Sequence, residues 1–237
     1  MNLKLYLLAS FIILFITGCS NEKPSPPPLS QNEAKENSLY HQAGIIKLQD
    51  SLAAAFGYKK AGEDFFEFTL DDVGKYTGHI CPGITSGFLM TKQALAALYP
   101  NDEMPQRGNV SVVSSSLTDH LAVASYILRD EPCQKQHAAC VDKSLQGEKG
   151  TLTMIFKRND TGKMVRVVFN RAKLMTPEKM GTIRPLKEKV LNGKASDEER
   201  KLFAESVQSV VKTAITAMPE GVITLSEITD YKFPEAK

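Results

Sequence analysis

The chain has 237 residues, 29 Lys and Arg against 27 Asp and Glu, a formal net charge of +2, and 42% hydrophobic residues. With the basic residues scattered and no tryptophan, a concentrated positive surface for nucleic acid is excluded, and the charges read as a mixed solvated surface. Residues 5–17, LYLLASFIILFIT, are apolar but well short of the roughly 20 residues of a membrane-spanning helix. Residues 1–18 therefore read as a signal peptide.

Ile16, Thr17, Gly18 and Cys19 resemble the lipobox of bacterial lipoproteins, which implies that Cys19 is lipidated and becomes the mature N-terminus. Several acyl chains on one residue anchor durably. Ser20 stands where an aspartate would resemble the signal for inner-membrane retention, so the expected location is the outer membrane of a Gram-negative cell, facing the periplasm. Residues 19–38 then form the lipidated cysteine and a proline-rich linker, SNEKPSPPPLSQNEAKENS after Cys19. Such a tether reaches on the order of 50 Å at about 3.1 Å per residue. Residues 39–237 have the size and apolar content of one domain.

Along that domain, Ile45, Leu48, Leu52 and Ala55 at helical spacing predict a helix over 41–56. Thr69 and Asp72 make a capping signal for a short helix. Pro82 starts a longer one to about Tyr99, with Ile84, Phe88, Leu95 and Leu98 on one stripe and Gly87 inside it, a position suited to the close approach of another backbone. Residues 109–116 predict a strand, 118–130 a short helix, and 151–157 with 163–170 a hairpin across NDTG. Ser196 with Glu199 caps a helix to about Met218, and GVITLSEI supplies a last strand. Helices and hairpin-connected strands in this order imply an α+β fold, an antiparallel or mixed sheet with packed helices.

The chemistry concentrates in GHICPGITSGF, residues 78–88. Pro82 at the first helical position makes Cys81 the N-cap, beside unpaired amides and the positive end of the helix dipole, where a thiol is expected to ionise more easily. In an extended His79-Ile80-Cys81, the histidine and cysteine project to one side. They form half of a tetrahedral metal site, or a nucleophilic Cys81 with a base nearby. A buried cysteine in a tight turn beside a hydrogen-bonded histidine explains the spacing equally well.

The longer stretch KYTGHICPGITSGFLMTKQAL, residues 75–95, resembles the signature of the formylmethanofuran dehydrogenase FmdE family. The likeness extends more faintly through the strand at 109–116, DHLAVASYI, GEKGTL and TGKMVRVVF. It implies an FmdE-like α+β core, an intertwined homodimer, and a divalent metal, usually zinc, at histidine and cysteine positions. It does not imply the reaction in the family's name, which belongs to a cytoplasmic archaeal assembly with a pterin cofactor. Two departures bear on the site: Thr77 stands where members often have a histidine, and Asp119 and His120 stand where many have a cysteine. The C-terminal zinc finger of some members is missing, since no cysteine follows Cys140.

His120, opening its own helix, becomes the expected third ligand with His79 and Cys81, with water or a substrate atom in the fourth position. His41 and His137 read as surface residues. Cys133 and Cys140 close a small polar loop, where a disulfide is the expected outcome in the periplasm; C-x3-H-x2-C through His137 matches no common zinc module. Three functions stay open: a metal-binding protein, enzymatic or not; a thiol redox enzyme or sensor using Cys81; and a binding module for metal delivery, haem or a cofactor precursor. The sequence identifies no substrate or reaction.

Overall fold

The segment at 41–56, where spacing predicts one helix, is instead split by Gly44 at φ +78° and by Asp50. Its middle forms strand β1, Ile46–Gln49. Ile46 and Leu48 are buried and Lys47 is exposed, a period of two that wins over the helical one because the partner strand β2, Phe65–Phe68, pairs antiparallel beside it with Leu48 opposite Phe66. Asp50 then caps the short helix α1, Ser51–Ala55, by accepting from the Leu52 amide. These features belong to a computed structural model that describes residues 39–234; the signal peptide and linker expected from the sequence, with Cys19, lie outside the described residues.

Helix α2, Leu70–Thr77, begins with the expected capping box, in which Thr69 and Asp72 satisfy each other's backbone amides. Helix α3, Pro82–Leu98, is buried on nearly every side. Ile84, Phe88 and Leu98 are almost fully withdrawn from solvent, each worth about 1.5–3 kcal/mol of transfer free energy. The surroundings of α3 explain this: it packs on the sheet, on α4, Asp119–Leu128, and on α8, Asp197–Thr216. Between α4 and α8 lie the short helices α5, Glu131–Lys135, and α6, Arg171–Leu174, and then α7, Pro177–Leu191, which pairs with α8.

Strands β3, Val110–Ser114; β4, Thr151–Arg158; β5, Met164–Asn170; and β6, Ile223–Ile228, form an antiparallel meander in that order. Met154, Phe156, Val165, Val167 and Phe169 join the core beneath α3. Central β4 is buried on both faces, whereas β5 alternates, so the sheet has an inner apolar face and a second, partly covered one. Among the described residues the fold is α+β with two antiparallel sheets, and no helix is long and apolar enough to cross a membrane.

Candidate metal centre

Three connections bring the site together. Helix α2 ends at Gly78 in the left-handed conformation, φ +78°, a geometry that favours glycine and turns the chain sharply into His79. The hydroxyl of Thr77 donates to the carbonyl of His79 at 2.7 Å. His79 Nδ1 lies 3.2 Å from the carbonyl of Thr77; a carbonyl only accepts, so Nδ1 carries the proton and Nε2 keeps the lone pair for a ligand. Thr77 thus orients His79.

Cys81 follows in extended conformation as the N-cap of α3, with Pro82 at the helix start. Its acidity runs against the sequence expectation. Burial pushes the thiol up, and nearby Asp119 adds to this, while the amides of Gly83 and Ile84 and the charge of Lys187 oppose it without prevailing. Within the described residues Cys81 is the free cysteine.

The third connection is the crossing of α3 and α4. A Cβ on Gly87 would stand 2.9 Å from His120 Cα and 3.3 Å from Val123 Cβ, so glycine is what lets the start of α4 settle on α3. That seat brings Asp119, the first residue of α4, to the others: ligand atoms of His79, Cys81 and Asp119 all lie within 4.8 Å of one another. A tetrahedral ion with bonds of about 2.0–2.3 Å separates its ligand atoms by about 3.3–3.8 Å, so small side-chain rotations would close the three on a metal.

His120 lies below this group rather than in it. Its Cε1 borders Gly83, as do Cys81 Sγ and Asp119 Oδ2, each 3.5–3.7 Å from where a Cβ on that glycine would stand. The imidazole is buried against the Phe169 ring, and burial lowers its pKa to about 4, which keeps it neutral at pH 7. Ser86 Oγ donates to the Pro82 carbonyl at 2.6 Å and has one hydrogen to give, so at 2.8 Å it accepts from His120 Nε2. Nδ1 is left as a buried lone pair without a hydrogen-bond partner, the state of an imidazole that lacks a proton donor or a metal.

Asp119 stands outside the ligand set expected from the sequence. Its signal was legible as an acid one position before His120, in the first turn of a helix, where a carboxylate is favoured by the dipole. Elsewhere, Cys133 and Cys140 are joined in a disulfide with Cα atoms 5.6 Å apart. Half-buried His137 turns its Nε2 to Ser125 Oγ at 3.1 Å, and exposed His41 pairs with Asp71 at 3.7 Å.

Residues 76–224 match FmdE, the family described as "Molybdenum formylmethanofuran dehydrogenase operon". The chain belongs to the FmdE family. The FmdE match opens in the last turn of α2 and closes in β6, so it contains His79, Cys81, Asp119 and His120 together with β3, β4, β5 and the start of β6. The β1–β2 unit precedes it. Comparison with curated proteins gave no match.

Proposed function

We propose that this FmdE protein is a metal-binding protein that holds one divalent ion, zinc by the chemistry of its donors, through His79, Cys81 and Asp119, with His120 Nδ1 as the fourth donor. The observation that carries the proposal is the convergence of imidazole, thiol and carboxylate ligand atoms within 4.8 Å at the junction of three helices. The orphaned lone pair of His120 adds to it, since neutral imidazole and thiolate suit zinc. Thr77 and Ser86 set the two histidine tautomers from behind, as carbonyl and hydroxyl groups do around metal-binding imidazoles. Binding would displace the Cys81 proton, so affinity rises with pH.

The setting we propose is the periplasmic face of the outer membrane, with the chain held by lipidated Cys19. The Cys133–Cys140 disulfide supports an oxidising compartment. We further propose a homodimer, supported by Phe56 and Tyr58, which stand 84% and 76% exposed beside the small sheet and offer an apolar surface for a second copy.

Cobalt(II) substitution tests the site. Cobalt added to the metal-free protein should give thiolate-to-metal absorption that disappears in Cys81→Ser and shifts in Asp119→Asn. A cobalt complex without a thiolate band, or the same band in Cys81→Ser, would overturn the assignment.

A further inference from the structure

The outer face of the four-stranded sheet carries a cation that the fold does not use. Arg166, in the middle of β5, stands across from Ile155 on β4 and Ser226 on β6. Its Nε is shielded from solvent with no hydrogen-bond partner, and no carboxylate among the described residues pairs with it. The side chain as a whole is half-buried, and leaving a shielded N–H without an acceptor costs free energy.

Beside Arg166 the face opens into a pocket of about 480 Å³, within the range of small-molecule sites. Thr153, Asn170, Lys173 and Thr224 line it with Arg166. Lys173 lies over Gly221 and, like Arg166, has no ion pair among the described residues. Glu148 also lines the pocket, is exposed, and bridges to neither cation. The neighbouring part of the same face is closed by the chain itself: Tyr231 donates to Asp142 at 2.8 Å, and Lys157 sits over the Phe233 ring. The pocket is what this covering leaves open.

We propose that this pocket binds a small organic anion, whose carboxylate or phosphate group pairs with Arg166 and Lys173 while the threonine hydroxyls and the Asn170 amide donate to its remaining oxygens. A guanidinium presents two parallel donors to either oxyanion, and the lysine adds a point charge. The inference does not depend on the metal centre, which lies at the opposite face of the sheet beside Phe169.

Calorimetric titration of the full-length chain with inorganic phosphate and with succinate, at fixed ionic strength, tests the proposal and separates the two head groups. At least one should bind saturably and raise the melting temperature. Losing charged hydrogen bonds should weaken it roughly ten- to hundredfold in Arg166→Met and in Lys173→Met, while Lys212→Met, on the exposed side of α8, should bind as wild type. Arg166→Met should melt no lower than wild type without anion, because its side chain has no partner to lose. If Arg166→Met does not fold, the exposed Lys173→Met decides the matter alone. Binding of neither probe, or unchanged affinity in the two pocket variants, would overturn the proposal. So would a change of oligomeric state in Arg166→Met without any anion binding, since a carboxylate of a second copy would then be the occupant.

Discussion

Replacing Gly87 by alanine tests the seat of α4 on α3, on which the position of Asp119 and His120 depends. The added methyl would stand 2.9 Å from the backbone Cα of His120 and 3.3 Å from Val123 Cβ. A backbone atom cannot swing aside, so α4 must shift as a unit. Overpacking of this kind costs about 1–3 kcal/mol. Alanine recovers about 0.5–1 kcal/mol over glycine inside a helix. A net loss of roughly 1–2 kcal/mol is expected, read as a lower urea midpoint with an unchanged slope. Gly181→Ala is the internal control. It lies inside α7 with nothing within 4 Å of its new methyl, and should gain roughly 0.5–1 kcal/mol. If Gly87→Ala and Gly181→Ala shift the midpoint by the same amount in the same direction, the close crossing is not what glycine provides.

Burial raises the pKa of Asp130, although its carboxylate accepts from the Val112 amide at 2.7 Å. A carboxyl raised on folding favours the native state below its unfolded pKa, and that contribution is lost as pH rises through the folded value. Asp130→Asn, which can still accept from Val112, should therefore be as stable as wild type or more so at pH 7, with the advantage vanishing in thermal melts near pH 4. Cys19→Ser should release the protein from the membrane fraction, since the anchor depends on one sulfur; unchanged partition on fractionation would refute the lipoprotein reading. Sedimentation at micromolar concentration should show a dimer whose unfolding midpoint rises with protein concentration, and a stable monomer would count against it.

Signals confined to a few neighbouring residues were legible in the sequence. The capping boxes at Thr69 and Ser196, the Pro82 helix start and the hairpin across NDTG each act through local backbone geometry. β1 was not, because Ile45, Leu48, Leu52 and Ala55 imitate a helical stripe, whereas Ile45 and Leu52 are exposed and β2 supplies the pairing. α7 gave no prediction, with Pro185 inside it and a surface that is mostly exposed. At the site, the extended His79-Ile80-Cys81 placed two donors on one side, but the balance at Cys81 depended on burial by distant segments, which no spacing records. The positions of Asp119 and His120 relative to the thiol depended on how far α4 approaches α3. Gly87 marks that approach, but only the packed helices show that Asp119 joins His79 and Cys81 while the His120 ring lies below them beside Gly83.

The metal centre is tested most directly by elemental analysis of wild type, His79→Ala, Cys81→Ser, Asp119→Asn and His137→Ala, purified in parallel from one medium. About one zinc per chain is predicted in wild type and in His137→Ala, with the content falling sharply in Cys81→Ser and His79→Ala and less far in Asp119→Asn, all with the fold retained. Equal metal in wild type and Cys81→Ser, or none in wild type even after reconstitution with zinc, would contradict the account.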